Sequence, residues 1–141
     1  MSVIVTDTGF HIEIPIPAFT SLAQLPFHEG ALDLANTDDP AILAPYLDDI
    51  RLIRVDFPGF ADGRGFTLAR RLRMMGFKGR LRARGHVLAD QYAMARRVGF
   101  DEVEISETLA ARQPEEQWQA RADWQAHNYQ ARIGQSRLRA G

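Results

Sequence analysis

Three segments of the chain alternate apolar and charged residues, and that alternation constrains the fold more than any other feature. Ile53, Val55 and Phe57 fall on one side of an extended chain, with Arg54 and Asp56 on the other. Leu81 and Ala83 alternate with Arg80, Arg82 and Arg84, and Val103 and Ile105 alternate with Glu102 and Glu104. A period of two marks strands with one buried face. Between these segments the apolar spacing changes to three and four, in Leu68, Ala69, Leu72 and Met75 and again in Leu88, Tyr92, Ala95 and Val98. Those are helix stripes. Each stripe closes on a glycine, Gly76 or Gly99, suited to a helix end. Met75-Gly76-Phe77 and Val98-Gly99-Phe100 echo each other as a repeating strand–helix unit would. One such unit precedes them: a first strand over Ala31 to Leu34, then Asp39-Pro40 as a helix start, the helix running to about Leu47.

Strands joined by helices lie parallel in one sheet. A doubly wound sheet is covered on both faces, and its central strands read almost continuously apolar. These strands alternate, so the helices are expected on one face. The expected class is α/β: consecutive βα units with a mostly parallel sheet, half-barrel-like. A flavodoxin-like three-layer sandwich is the alternative. A small N-terminal hairpin joins Val3–Val5 to Phe10–Ile14 through Asp7-Thr8-Gly9, and Pro15 and Pro17 end its pairing. The 141 residues are read as a single domain. Residues 1–30 are hairpin and irregular connection, 31–105 the βα core, and 106–141 a helix-prone tail anchored by Trp118, Trp124 and Tyr129 and frayed beyond 131.

The charged strand face is either a solvated ladder of ion pairs or an anion site, and an open charged face also permits a homodimer. Net charge is −1, which argues against nucleic acid as a partner. The chain has no cysteine, which excludes disulfides, thiol catalysis and thiolate-bound zinc or iron–sulfur clusters. No stretch approaches the ~20 apolar residues of a membrane span, and Met1 to Phe10 lacks the pattern of a signal peptide. A cytoplasmic location is expected. His11, His28 and His127 show no ligand spacing, so no metal site is expected. Gly63 and Gly65 do not extend to a dinucleotide fingerprint, because Leu68 stands where the third glycine belongs. No recognisable motif encodes a cofactor.

Ligands of parallel sheets bind beyond the carboxyl ends of the strands. Those ends carry Asp56, the loop Asp62-Gly63-Arg64-Gly65, and Gly85-His86. The two glycines would let backbone approach a ligand, and Arg64 would grip a phosphate, sulfate or carboxylate at the start of the next helix. Arg82 and Arg84 would extend the anion site, with Asp90 and Gln91 one turn further on. Asp56 and His86 are the acid–base candidates. The plainer reading makes the loop a turn with a helix cap and His86 a surface residue.

Much of this stretch resembles a known family. The run Asp56-Phe57-Pro58, Phe60, Asp62-Gly63-Arg64-Gly65-Phe66, Ala69-Arg70, Leu72-Arg73 carries the resemblance. So do Gly76-Phe77, Gly79-Arg80-Leu81-Arg82-Ala83, Gly85, Val87-Leu88, Asp90-Gln91, Arg96-Arg97 and Gly99-Phe100-Asp101. They are similar to the core of a bacterial domain-of-unknown-function family that bears the label of a probable oxidoreductase of sulfite reduction. Its genes commonly neighbour that of the assimilatory sulfite reductase haemoprotein. The resemblance spans roughly residues 31 to 105 and Tyr129-Gln130. It departs at His86, where the family is expected to hold a small or acidic residue. It implies a protein accessory to sulfite reduction that binds an anionic small molecule, or sulfite reductase itself. The contrasting expectation is a small enzyme acting on an anionic substrate through Asp56 or His86. Autonomous redox chemistry would need a cofactor for which no motif is visible.

Overall fold

The computed structural model describes residues 2–125. Its centre is a sheet of seven strands: β1 (Ser2–Thr6), β2 (Gly9–His11), β3 (Thr20–Ser21), β4 (Ala31–Leu34), β5 (Leu52–Phe57), β6 (Arg80–Gly85) and β7 (Glu102–Ser106). They lie in the order β2-β1-β7-β6-β5-β4-β3. Strands β3 to β7 are parallel, and β1 runs antiparallel to both β7 and β2. The helices are α1 (Arg64–Met74), α2 (Tyr92–Val98), α3 (Glu107–Arg112) and α4 (Glu115–Gln119).

The core lies on one face of this sheet. Leu68, Ala69 and Leu72 of α1 and Tyr92 and Ala95 of α2 form one cluster with Ile53, Val55, Phe57, Leu81, Ala83, Val103 and Ile105. Each such large apolar side chain contributes ~1.5–3 kcal/mol by leaving water. One-sided helices and sequential neighbours from β4 to β7 are the half-barrel-like arrangement. The flavodoxin-like alternative is overturned, because its strand order reverses and this one does not.

The elements depart from expectation where proline or side-chain bonding intervenes. The segment after Asp39 is a 3-10 helix, Pro40–Tyr46, with Pro45 inside it; Asp39 caps it by accepting from the Ala41 N–H. The helix expected from the stripe Leu88, Tyr92, Ala95 and Val98 begins as a single 3-10 turn, Ala89–Gln91, because Leu88 stays extended and the Gln91 side chain accepts from its N–H. β5 covers Leu52–Phe57, and β2 stops at His11 rather than Ile14. The helix-prone segment after residue 106 opens with α3, which Ser106 caps by accepting from the Leu109 N–H at 3.1 Å. His127, Tyr129, Gln130 and residues 131–141 lie outside the described residues.

The charged face is neither open nor simply solvated. β2 and β3 sit at opposite edges, so residues 12–19 must cross the sheet between them. They cross on the charged face. Glu13 accepts from Arg80 at 3.1 Å and from Arg82 at 2.7 Å, and the Phe19 ring lies 3.7 Å from the Arg54 guanidinium. Beneath this strap Arg54 grips Asp33 at 2.6 and 2.8 Å, and Arg82 bonds Glu102 at 2.6 Å and Glu104 at 2.9 Å. Arg82 is 1% exposed, which removes it from any solvent-facing anion site.

The latch should be acid-sensitive. Burial opposes ionisation of Glu13, but the hydrogen bonds from Arg82 and Arg80 outweigh it and hold the carboxyl below its ordinary 4.5. A depressed carboxyl stabilises the fold above its unfolded value, and this stabilisation is lost as pH falls through the folded value. Glu13→Gln is therefore expected to cost ~1–3 kcal/mol at pH 7. It should also flatten the loss of stability below pH 4.5. Urea unfolding at a series of pH values reads both; an unchanged slope would show that Glu13 does not latch the strap.

Candidate functional site

The carboxyl ends of β5, β6 and β7 bring together Asp56, Arg84, His86, Glu104 and Ser106 around a cavity of about 330 Å³. Strand register sets the first contacts, since Arg84 is paired with Asp56 on one side and Glu104 on the other. Neither contact is tight: Arg84 lies 3.9 Å from Asp56 and 3.5 Å from Glu104. The reason is competition. Glu104 is already held by Arg82 at 2.9 Å and by Arg54 at 3.2 Å. Arg84 and Asp56 are both about half exposed, unlike the buried pairs below them.

Gly85 then turns the chain with a φ of +116°, and a Cβ there would meet the Phe57 carbonyl oxygen at 2.7 Å. The turn delivers His86 to the rim. Its backbone N–H donates to the Phe57 carbonyl at 2.9 Å, and its Nδ1 faces the same oxygen at 3.2 Å. A carbonyl only accepts, so Nδ1 carries the proton in this contact and Nε2 is left as the basic nitrogen. The Phe60 ring stands edge-on to the imidazole at 5.0 Å. His86, Gly85 and Ser106 also border a second cavity of about 360 Å³, completed by Phe60, Thr108, Leu109 and Arg112.

The other candidates fall elsewhere. Asp62 and Arg64 bond each other, with Arg64 Nη2 donating to Asp62 at 2.7 Å and Nε at 3.0 Å. Asp62 also accepts from the Arg64 N–H at 3.1 Å, so the start of α1 is met by the chain's own carboxylate. Those bonds, with one from Asn36, hold the Asp62 carboxyl well below the usual carboxylate range. Arg64 lines a separate hollow with Asn36, Thr37 and Arg71. A Cβ on Gly63 would make only ordinary contact with Phe66 at 3.9 Å, whereas one on Gly65 would collide with the Phe57 ring. Gly65 thus serves close packing of α1 on β5 rather than approach to a ligand. Gly65→Ala is expected to cost ~1–3 kcal/mol by overpacking, measured as a drop in urea midpoint; an unchanged midpoint would show that the ring yields freely. Asp90 reaches out to Arg121 at 2.8 Å, and Gln91 donates to the Phe60 carbonyl at 3.2 Å, tying down the 58–62 loop.

Phe60, Glu104, Ser106 and Arg112 were not among the site residues expected from the sequence, although Phe60 lies in the run that carries the family resemblance. Ser106 and Glu104 were within reach, because the strand-end rule that selected Asp56 and His86 applies equally to β7. Phe60 and Arg112 carry no such signal. A larger cavity, about 970 Å³, is at the opposite end and includes Arg73, Arg96 and Asp101. Its arginines are committed to structure: Arg73 donates to the carbonyls of Phe77, Gly79 and Gly99, and Arg96 to that of Phe100. Among the described residues no cluster of His, Asp or Glu could hold a metal ion, and no helix is long and apolar enough to cross a membrane.

The fold and this site define an α/β protein with helices on one sheet face and a polar cavity at the carboxyl edge of its parallel strands. Residues 31–138 match the model of a family described as bacterial protein of unknown function (DUF934), and the chain belongs to that family. No curated protein and no solved structure matches the chain.

Proposed function

We propose that this protein is accessory to assimilatory sulfite reduction and binds an anionic small molecule at the carboxyl edge of β5, β6 and β7. Arg84 is the anion-binding group. The carrying observation is its loose pairing. Arg84 stands 3.5 and 3.9 Å from its carboxylates at a cavity wall, while Arg54 and Arg82 are held by theirs at 2.6–3.2 Å. An arriving oxyanion gains charge-assisted bonds there without breaking tight ones. The resemblance to the sulfite-reduction family supports the pathway, with sulfite reductase as the partner that uses the bound anion. Docking of the reductase on the charged sheet face is less well supported, since the 12–19 strap occupies that face.

A second reading is an acid–base enzyme on an anionic substrate. It is favoured by Asp56 and His86 lining the cavity that Arg84 also lines. Asp56→Asn that keeps binding and loses turnover would select it.

The test is a thermal-shift panel with sulfite, sulfate and phosphate on wild type, Arg84→Ala and Arg64→Ala. A ligand at ~100 times its Kd adds ~2.7 kcal/mol, a rise of roughly 5–10 °C for a chain of this size. The shift is expected to vanish in Arg84→Ala and persist in Arg64→Ala. A flat panel, or a shift lost only in Arg64→Ala, would sink the proposal.

A further inference from the structure

The two cavities at the carboxyl edge share the walls Gly85, His86 and Ser106, so they adjoin as two lobes. A small inorganic oxyanion on Arg84 uses only the first lobe. The second has its own cation, its own aromatic surface and its own supports. Arg112, in the last turn of α3, is exposed and has no ion-pair partner among the described residues. Phe60 is 42% exposed, and its ring packs against His86 rather than into the core. An exposed aromatic beside a polar cavity is more informative than a buried one. Both groups are held in place from behind. Gln91 donates to the Phe60 carbonyl at 3.2 Å, and Gln113, next to Arg112, accepts from the Ala89 N–H at 2.6 Å. These ties fix the aromatic wall and the end of α3 before any ligand arrives, which lowers the ordering cost of binding.

We infer that this site takes an organic dianion: one acidic group on Arg84, a flat apolar section against Phe60, and a second acidic group on Arg112. The inference rests on the assignment of Arg84 as the anion-binding group. It adds Phe60 and Arg112 as binding residues and moves the ligand from a free inorganic anion to an acid carried on a ring. His86 Nε2 and the Ser106 hydroxyl, at the junction of the lobes, supply an acceptor and a donor to the ligand's middle.

A ladder of three probes tests it by calorimetric titration: methylphosphonate, phenylphosphonate and 4-phosphonobenzoate. The ring is expected to tighten binding roughly 3–10-fold. The added carboxylate should contribute a further factor of at least ~10. Phe60→Ala should remove the first gain and Arg112→Ala only the second, with Arg112→Lys recovering part of it. Both positions are exposed, so the fold is expected to be kept, which unfolding curves of the variants check. Methylphosphonate binding that depends on Arg84, but gains nothing from the ring or carboxylate, would overturn the dianion inference and leave the anion site standing. A second gain unaffected by Arg112→Ala would do the same. If no probe binds in an Arg84-dependent way, the anion site itself is wrong and the inference falls with it.

Discussion

Arg82→Ala is expected to lose ~3–5 kcal/mol of stability, a large part of the ~5–15 kcal/mol that holds a typical domain together. The argument is one of charge left behind. Arg82 is 1% exposed and its three nitrogens are spent on three carboxylates: Nε on Glu102 at 2.6 Å, Nη1 on Glu104 at 2.9 Å and Nη2 on Glu13 at 2.7 Å. Glu102 and Glu104 are themselves buried. Removing the guanidinium strands those carboxylates in a place where water cannot replace it. Arg82→Lys should fall between wild type and Arg82→Ala, because an ammonium cannot reproduce the planar fork. Urea unfolding at neutral pH measures both variants. A loss below ~1 kcal/mol would make the face a solvated ladder after all.

Trp118→Ala should cost ~3–5 kcal/mol, the range for deleting a buried tryptophan. Trp118 is 1% exposed, stands edge-on to Tyr92 with centroids 6.1 Å apart, and donates from Nε1 to the Gln113 carbonyl at 2.9 Å. The effect should spread. Tyr92 in turn donates to Asp7 at 2.5 Å, and Asp7 also accepts from Arg96 at 3.2 Å. Burial opposes ionisation of Asp7, but these bonds and that from Trp124 prevail and hold its carboxyl low. The loss in Trp118→Ala should therefore include loosening of the hairpin. It would show in hydrogen exchange as faster exchange across β1 and β2 than across β5 and β6. Trp118→Phe keeps the ring contact and strands one carbonyl, so a loss of ~1–2 kcal/mol is expected. A Trp118→Ala loss under 1 kcal/mol would mean that α4 only rests on the surface.

The central strands were legible because each alternates across a boundary between apolar core and ions, and a period of two admits no other element. The same alternation placed the helices on one face. What was not legible depends on contacts distant in sequence. Thr20-Ser21 has no apolar pattern, and it is a strand only because β4 lies beside it. The alternation Ile12, Glu13, Ile14 looks like more hairpin, yet Glu13 turns inward to Arg80 and Arg82 while Ile12, Ile14 and Ile16 remain 60–81% exposed. In the site, Asp56 and His86 were selected by a topological rule about strand ends, and Arg84 by its place on the charged strand face. That Arg64 is consumed by Asp62 and Arg84 is left loose by Glu104 follows from distances that no spacing reveals.

The antiparallel edge has a consequence for the order of folding. β1 is the first strand of the sheet in chain order and its partner β7 is the last, with Val3 opposite Ile105 and Val5 opposite Val103. On the ribosome the hairpin therefore waits for about a hundred residues before its inner edge has anything to pair with. Joining such distant segments carries a loop-closure cost and places the step late, after the local βα units have formed. Its outer edge waits longer still, because the Phe10 N–H is accepted at 2.7 Å by Glu115 of α4, which follows β7 in the chain. Any strand that competes for β1 must do so in the interval before β7 emerges.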